Sequence, residues 1–371
     1  MNVNKKKKKD KKEKKELSRS EVNLLKYPFY TLDKNRFQRI KYEEIETKNG
    51  KTTVKSLIVS PDLKLGLPTP FDAKIFRIIE MHLYKDLKKN GKIADKLDIG
   101  PTYRICKILK IEHQSSNREL IKKAIKRLSL LGFLTKNIFY SNEKKHLGEA
   151  SFHLFDYKFK GEELKNGEIA DSNYIYPSPT YKKNLENYNI KPLDFAYIRS
   201  LNSGIAFRLY ELLGVKFFKI KDKKNTPIRY SYEKLCKILP LKEQKYLSYI
   251  KRQLIPALKE LKETKFLKDY ILEEKGNKLF IKFYPGVKYF EEIKMSDKSK
   301  ILKIQAIINL KEHFLTVNKF KISKGEPKSF RFKKRADDCY KECKGDCVVE
   351  KGSSVRRFVY CDYCKKLKKE R

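Results

Sequence analysis

The stretch Phe76-Arg77-Ile78-Ile79-Glu80 recurs 131 residues later as Phe207-Arg208-Leu209-Tyr210-Glu211, and this recurrence indicates how the chain is built. Two further matches follow in the same order. Residues 105–109 recur as 235–239, at an offset of 130 residues. The pattern of apolar residues at 125, 128, 133 and 134 recurs at 258, 261, 266 and 267, at an offset of 133 residues. Three matches at nearly one spacing indicate an internal duplication of a domain of about 100 residues.

Each copy has the same predicted order of elements. The first has helices over 72–88, 102–110 and 116–131, followed by strand-like runs over 133–140 and 151–160. The second has helices over 203–219, 231–239 and 242–263, followed by strands over 266–273 and 278–284. Three helices followed by a β-hairpin are typical of a winged-helix domain, in which the last two helices form a helix-turn-helix and the hairpin is the wing. Cys106 and Cys236 fall on apolar helix faces, so we expect buried thiols.

The rest of the chain divides by composition. Residues 1–20 form a lysine-rich arm that we expect to be disordered. Asn49-Gly50 between two strand-like runs predicts a hairpin near the start of the first domain, 21–160. Prolines and glycines in 161–192 predict a linker to the second domain, 193–290. A helical and basic linker, 291–335, leads to a cysteine-rich module, 336–371. The expected fold class is therefore α+β, with two tandem winged-helix domains and a small zinc-ribbon-like module.

The charge balance favours a polyanionic partner. The 371 residues include 88 Lys and Arg against 46 Asp and Glu, a formal net charge of +42. Such a surface attracts nucleic acid or anionic lipid. The alternative is a solvated surface whose lysines reflect an AT-rich genome. No uncharged run reaches the ~18 apolar residues of a membrane span, so we expect no membrane partner. Five of the seven cysteines crowd into 339–364 rather than forming a disulfide framework, which favours the reducing cytoplasm.

The outward faces of the two third helices carry groups that could contact DNA. A helix about 10–12 Å across fits the major groove of B-form DNA, about 12 Å wide. Arg and Asn can hydrogen-bond to guanine and adenine edges, whereas Lys neutralises phosphate. On the first of these helices the candidates are Ser115, Asn117, Arg118, Lys122, Lys126 and Ser129. On the second they are Lys245, Ser248, Tyr249, Arg252 and Gln253. The alternative is a pair of solvated amphipathic helices.

Two segments resemble a known family. The runs 203–213 (SGIAFRLYELL) and 254–261 (LIPALKEL) resemble the second winged-helix domain of bacterial plasmid replication initiators. Pro256 makes the match specific, because a proline inside a helix costs about 3 kcal/mol and is uncommon there. The segment Asn23–Asn35, with Tyr27-Pro28-Phe29, is similar to the opening of the replication initiator protein A family. The resemblance covers roughly 20–290, and the first domain matches by architecture more than by residues.

The resemblance implies a function. Initiators of this kind bind repeated origin sites in double-stranded DNA, open an adjacent AT-rich stretch and help to load the host helicase. It implies partners among host helicase, loader and initiator proteins, and a cytoplasmic, plasmid-associated location. In that family the monomer contacts the origin through both winged helices, and a homodimer is a second state. Two joined DNA-binding domains also raise the effective concentration of the second once the first has bound. We expect them to contact adjacent major grooves, about 34 Å apart.

The C-terminal cysteines have the spacing of metal ligands. Cys339, Cys343, Cys347, Cys361 and Cys364 read C-x₃-C-x₃-C-x₁₃-C-x₂-C, and the insert fits a hairpin turning at 352–354. Tetrahedral zinc needs four ligands. We expect Cys343, Cys347, Cys361 and Cys364, with Cys339 as the alternate ligand. An iron–sulfur cluster and free thiols are the alternatives. The flanking basic residues suit contact with nucleic acid or with a replisome protein, and the spacing does not choose between them.

No motif for catalysis or nucleotide binding stands out. Gly50-Lys51-Thr52 imitates the end of a phosphate loop, but Ile45 replaces the glycine that such a loop requires. The five histidines contain no His-x-His pair of the kind used by rolling-circle initiators. We therefore expect a binding protein rather than an enzyme. The two rival classes are a transcriptional regulator on the same fold and a protein-interaction scaffold.

Overall fold

A strand, a short helix and a hairpin precede the first repeat. The computed structural model describes residues 17–48, 51–141, 146–187, 190–220, 226–276, 278–293, 348–350 and 357–359. The first elements are β1 (Leu17–Glu21), α1 (Val22–Lys26), β2 (Ile40–Lys48) and β3 (Lys51–Ser60). β2 and β3 pair antiparallel from Ile40↔Val59 to Lys48↔Lys51, which confirms the predicted hairpin. Residues 1–16 of the predicted arm lie outside the described residues, and its end, from Leu17, is strand.

The first repeat begins with a long capped helix. Its elements are α2 (Pro70–Asn90), β4 (Leu97–Asp98), α3 (Thr102–Leu109) and α4 (Ser115–Ser129). Thr69 and Asp72 form a reciprocal capping box at the start of α2, and Gly91 ends it in the left-handed conformation at φ 76°. The three helices predicted for this copy are thus confirmed, with boundaries shifted by one or two residues.

The strands that follow α4 differ from the prediction. β5 (Gly132–Ser141) and β6 (His146–Phe152) form a hairpin, but it joins a four-stranded sheet in the order β2-β3-β5-β6. The predicted strand 151–160 is divided between Phe152 and Phe155, and Leu154 in the break is fully buried. Its second half is β7 (Phe155–Lys158). β7 pairs with β8 (Tyr174–Pro177), which pairs with β4.

Residues 161–192, predicted as a linker, contain regular structure. Besides β8 they include α5 (Pro179–Glu186) and most of β9 (Ile190–Asp194), which pairs antiparallel with β1. The prolines indicated a linker but lie where proline is tolerated. Pro179 occupies the first turn of α5, and Pro192 is in a strand of a two-stranded sheet. Tyr181 is fully buried, so this segment is part of the core.

The second repeat follows with the same order of elements. A short helix, α6 (Phe195–Ser200), leads to α7 (Gly204–Lys216), β10 (Ile228–Ser231), α8 (Tyr232–Ile238) and α9 (Leu247–Glu263). Two strands, β11 (Leu267–Lys275) and β12 (Lys278–Pro285), complete it. Its sheet order, β10-β12-β11, matches β4-β8-β7 of the first repeat. The two repeats therefore share both element order and strand pairing, once β7–β8 rather than β5–β6 is aligned with β11–β12.

The contacts divide the chain into two units, Met1–Ser296 and Asp297–Arg371. In the first, one continuous apolar core runs through both repeats, and a final helix, α10 (287–293), packs on it through Tyr289. In the second, β13 (Val348–Glu350) pairs antiparallel with β14 (Arg357–Val359). The predicted helical and basic linker, 291–335, lies outside the described residues from 294 onward. No helix in the described part of the chain is both long and apolar enough to cross a bilayer.

Candidate nucleic-acid interface

α4 is fixed by its apolar face and by one ion pair. Its inner face has no exposed surface and consists of Ile121, Ala124, Ile125 and Leu128. The Arg127 guanidinium contacts the Asp72 carboxylate at 2.5 Å and donates to the Leu65 carbonyl at 3.0 Å. Because Asp72 also closes the capping box of α2, the pair ties α4 to the start of α2. The opposite face of α4 is therefore presented to solvent in one orientation.

The N-terminal half of α4 carries the exposed part of the predicted face. Ser115 and Arg118 are exposed, and Arg118 has no hydrogen-bond or ion-pair partner among the described residues. Lys123, which sequence reasoning did not single out, is exposed as well. It borders the predicted face, and helical spacing alone does not distinguish a residue there that contacts a base from one that is only solvated.

The remaining predicted residues of α4 are partly engaged. Asn117 is half-buried, and its Nδ2 donates to the Glu112 carbonyl at 2.8 Å. Lys122 and Lys126 are half-buried, each with Nζ 5.8 Å from the centre of the Phe159 ring. Their ammonium groups therefore lie along the edge of α4 nearest to the end of β7.

Ser129 does not belong to the outward face. It is 7% exposed, and its Oγ donates to the Lys126 carbonyl at 3.0 Å. Ser129 lies in the last turn of α4, three residues before β5 begins. The helical period placed it on the outward face, but the fold leaves almost none of its surface accessible.

α9 repeats this design in the second copy. Its inner face is buried and consists of Ile250, Leu254, Ala257, Leu258 and Leu261. Leu247, expected with them, is half-buried. Pro256 stands on the exposed side of the helix, where its missing N–H and its ring disturb the helix without opening a hole in the core.

The outward face of α9 begins before the helix does. Lys245, Ser248, Tyr249 and Arg252 are exposed, as predicted. Tyr246, which sequence reasoning missed, is 66% exposed, and its ring is 5.9 Å from that of Tyr249 in an edge-to-face pair. The sequence could have indicated it, because an aromatic residue stands next to Lys245. Tyr246 precedes the apolar period of α9, and the predicted face therefore did not include it.

Gln253 has a different role from the one predicted. Its Oε1 accepts a hydrogen bond from the Tyr232 hydroxyl at 2.8 Å, and its Nε2 donates to the Lys242 carbonyl at 2.9 Å. The oxygen and the nitrogen of its side-chain amide thus hold α8 and the α8–α9 loop against α9. Gln253 is a structural residue in this conformation, and a base edge would have to displace one of these bonds.

The electrostatic surroundings of the two helices are similar. Around α4 the exposed cations are Arg104, Lys107, Lys110, Arg118 and Lys123, and the exposed carboxylates are Glu112 and Glu119. Around α9, with the preceding helix α8 counted in the same way, the exposed carboxylates are Glu233, Glu243 and Glu263, and the exposed cations are Lys234, Lys237, Lys242, Lys245, Lys251, Arg252, Lys259 and Lys262. Neither helix start has a side-chain cap, since Gln114 and Tyr246 at the N-cap positions make no such bond. The open N–H groups add positive potential at both starts.

A groove adjoins α9 and has a mixed lining. It encloses about 440 Å³ between α8, the α8–α9 loop and the start of β12. Glu233 and Glu243 face Lys245 and Lys278 across it. These charges balance, so the groove has no clear preference for an anion.

The five C-terminal cysteines predicted as metal ligands lie outside the described residues. In the part of the chain that the structure describes, no group of three or more His, Cys, Asp or Glu is arranged to hold a metal. The described strands β13 and β14 lie between Cys347 and Cys361, and they pair from Val348↔Val359 to Glu350↔Arg357. The hairpin predicted for this insert is therefore confirmed.

Cys106 and Cys236 are both buried free thiols, as expected. Burial raises the pKa of each, that of Cys236 to about 11.

Comparison with known proteins gave likenesses of structure only. No protein-family model matches the chain, and no curated protein matches its sequence. The chain is similar to the crystal structure of domains 2 and 3 of RctB, at 14% identity and a TM-score of 0.43, over 72% of this chain and 99% of that one. A second structure of RctB domains 2–3 is similar at 14% identity and a TM-score of 0.40, over 69% and 95% of the two chains. These likenesses do not identify what this chain binds.

Proposed function

We propose that this protein is a plasmid-type replication initiator that binds duplex DNA through two winged-helix domains. The observation that carries the proposal is the repeated order helix–strand–helix–helix–strand–strand with the same strand pairing in both copies. In each copy the third helix buries one face and exposes a cationic one, which is the arrangement a recognition helix requires. In the first copy, β7–β8 takes the place of the wing.

The contacts would differ along each helix. Arg118 and Arg252 are exposed and unpaired among the described residues, so their guanidinium groups are free to bond to a guanine edge. Lys122, Lys126 and Lys245 suit phosphates, as do the uncapped N–H groups at the start of α4 and α9. Ser115, Ser248 and Tyr249 lie exposed on the same faces. Asn117 and Gln253 position the loops that precede their helices.

Beyond binding, the proposal includes origin opening and recruitment of host replication proteins. Both steps follow from the resemblance of residues 20–290 to plasmid initiators. The protein would act by binding alone, with neither nucleotide nor catalytic residue. A homodimer, with one DNA-binding face hidden, would be a second state of the same chain.

The C-terminal module would hold zinc. The pairing of β13 with β14 brings the two chain segments that lead to Cys347 and Cys361 to the same end of one hairpin. That placement fits a four-thiolate site of Cys343, Cys347, Cys361 and Cys364, with Cys339 as the alternate. When bound, zinc would stabilise the fold of this short module.

Footprinting with the full chain on the DNA that flanks its own gene tests the proposal. An initiator is expected to protect an array of direct repeats beside an AT-rich tract. The logarithm of its affinity should fall linearly with the logarithm of salt concentration, as phosphate contacts require. Protection of a single palindrome would instead identify a transcriptional regulator. No protection of any duplex would favour a protein-interaction scaffold and overturn the proposal.

A further inference from the structure

The repeated sequence motif forms a buried cluster of four charges between the two copies. Arg77 and Glu80 belong to α2, and Arg208 and Glu211 occupy the equivalent positions on α7. All four side chains are completely buried. Two cations and two anions make the cluster neutral as a whole, which is the condition under which buried charges persist in a protein core.

One arginine bridges the two repeats. The Arg77 Nε donates to Glu211 Oε1 at 2.8 Å, and the Arg77 Nη2 lies 2.7 Å from the same oxygen. The Arg77 Nη1 contacts Glu80 Oε2 on its own helix at 2.5 Å. Arg77 thus holds one carboxylate of each repeat with a single planar guanidinium, which a lysine could not do with the same geometry.

The N-terminal segment 17–31 makes hydrogen bonds to the cluster. Ser20 donates its hydroxyl to Glu80, and Tyr30 donates its hydroxyl to Glu211 at 2.9 Å. Tyr181 of α5 also donates its hydroxyl to Glu80. The Arg208 Nη1 donates to the Leu25 carbonyl at 2.7 Å. This segment occurs once in the chain and contacts both repeats, so its hydrogen bonds connect the first repeat to the second.

The charges set the relative position of the repeats more strictly than the apolar core does. Apolar burial is non-directional, whereas charge-assisted hydrogen bonds require their donors and acceptors in one geometry. A shift of α2 against α7 would separate Arg77 from Glu211 and break this ion pair between the repeats in a low-dielectric interior. Each residue would keep only the charged partner on its own helix, Glu80 for Arg77 and Arg208, at 3.4 Å, for Glu211. The cluster therefore opposes intermediate positions of the two repeats.

We propose that this cluster makes the two repeats one rigid DNA reader, so that the protein recognises a composite duplex site with a single allowed distance between its two halves. This rests on the proposed function, since the halves are contacted by α4 and α9. Arg77 and Glu211 are then positioning residues that set the spacing of the recognised site without touching DNA. A pair of domains on a flexible linker would instead tolerate several spacings.

A spacing series on the footprinted DNA tests the proposal. Inserts of 5 and 10 base pairs are placed between the two protected halves, and the affinity of the full chain is measured. We expect the wild-type protein to lose at least about tenfold in affinity with either insert, because 10 base pairs restore the groove phase but not the distance. Wild-type affinity retained with the 10-base-pair insert would overturn the proposal.

Variants assign the effect to the cluster. Glu211→Gln keeps the shape but removes the charge, and Arg77→Lys keeps the charge but loses the fork. Either is expected to reduce the penalty of the 10-base-pair insert. Asp194→Asn is the matched control, because it breaks a largely buried ion pair with Lys288 outside the cluster and outside α4 and α9, and it should leave the spacing preference unchanged. An unchanged spacing penalty in folded Glu211→Gln and Arg77→Lys would contradict a role of the cluster.

Hydrogen exchange supplies a readout that needs no DNA. In the wild-type protein we expect the core amides of α2 and α7 to exchange with one common protection, since the repeats open together. In Glu211→Gln the protection of α2 should differ from that of α7, whereas in Asp194→Asn the protection of both helices should decrease together. Different protection of α2 and α7 in the wild type would overturn the rigid reader. A chain that footprints no duplex would refute the proposed function, and the exchange result would still decide whether the repeats are coupled.

Discussion

Arg77 and Glu211 lie 134 residues apart in the chain, yet their side chains meet at 2.7 Å with no exposure to solvent. Burial alone would lower the pKa of Arg77, but the carboxylates of Glu211 and Glu80 raise it above its usual value, so the guanidinium stays charged. The reverse pair, Arg208 with Glu80, does not form, because Arg208 turns to the Leu25 carbonyl and Glu80 accepts from the N-terminal strand. The two equivalent motifs thus make one asymmetric joint.

Replacing the two exposed arginines should weaken DNA binding. Arg118→Ala and Arg252→Ala are each expected to cost about 1–3 kcal/mol, roughly 5- to 150-fold in affinity, and to relax the base preference at one position. The loss follows from the removal of an unpaired guanidinium from a solvent-facing helix. Competition binding on the footprinted site and on single-base variants measures it.

The matched control for these variants is Arg39→Ala, which removes an exposed arginine from the segment just before β2. It should reduce affinity by the general charge effect only, and equally for all sequences. Full affinity and unchanged base preference in the Arg118→Ala/Arg252→Ala double variant would show that neither α4 nor α9 lies in a DNA groove.

Gln253→Ala should affect stability more than base preference. The substitution breaks two hydrogen bonds, to the Tyr232 hydroxyl and the Lys242 carbonyl. At about 0.5–1.5 kcal/mol for each bond, we expect a loss of about 1–3 kcal/mol in the free energy of unfolding. Urea denaturation measures the loss, and Ser248→Ala on the exposed face is the comparison. A changed base preference at unaltered stability would show that Gln253 contacts DNA directly.

Glu292→Gln should stabilise the fold at neutral pH. Burial raises the pKa of Glu292, which receives a hydrogen bond from the Tyr210 hydroxyl at 3.1 Å and lies near Lys191 and Lys288. Between the ordinary carboxyl value of 4.5 and the raised folded value, the folded chain binds more protons than the unfolded chain. Folding therefore weakens as pH rises through this window, and the deprotonated group disfavours the fold above it.

The difference in unfolding free energy between Glu292→Gln and wild type is the quantity to follow. It should be small near pH 4 and should grow in favour of the variant as pH rises through the folded pKa of Glu292. Glu263→Gln, at an exposed position, is the control and should show no such trend. A variant that is less stable than wild type at pH 7.5 would mean that the ionised Glu292 favours folding through its neighbouring lysines.

Thiol counting separates the two groups of cysteines. Cys106 and Cys236 are buried with raised pKa values, that of Cys236 being about 11, so neither forms thiolate readily at pH 8. With zinc bound, we expect slow reaction at four of the five C-terminal cysteines. A chelator should release about one zinc per chain and expose five fast thiols, leaving two that react only after denaturation. Five fast thiols before chelation would contradict the metal site.

Sequence patterns predicted most of the helices because each buries a periodic apolar face. α4 lies where the 3.6-residue period placed it, whereas α9 begins at Leu247, five residues after the predicted start at 242. The β2–β3 hairpin follows from Asn49-Gly50 between two strand-like runs. The same patterns correctly placed Arg118, Lys245 and Arg252 at exposed positions. They failed at Ser129 and Gln253, because tertiary burial and a hydrogen bond to Tyr232 are not properties of a helix period.

The strands that follow α4 show a second kind of failure. β5 was predicted, and the predicted strand 151–160 covers the end of β6 and all of β7. Their pairing partners were not predicted, since a strand pattern states which face is apolar and not which edge it meets. β3 pairs with β5 from Ser56↔Lys136 to Ser60↔Gly132, whereas the β7–β8 hairpin pairs with β4. The prolines of 161–192 predicted a linker where the structure has a strand and a helix. The effect of a proline depends on which backbone N–H groups the fold requires, and a sequence pattern does not show this.

The sequence by itself determined that a helical module was copied, where each helix buries its apolar side, and that both third helices carry cations outward, because these are local properties of periodicity and charge. Tertiary structure alone decided which strands pair and that the repeated Arg and Glu meet in one buried joint. Those outcomes depend on contacts between residues far apart in the chain, 72 positions for Ser60 and Gly132 and 134 for Arg77 and Glu211. Strand edges and desolvated charges must find partners wherever the folded chain brings them.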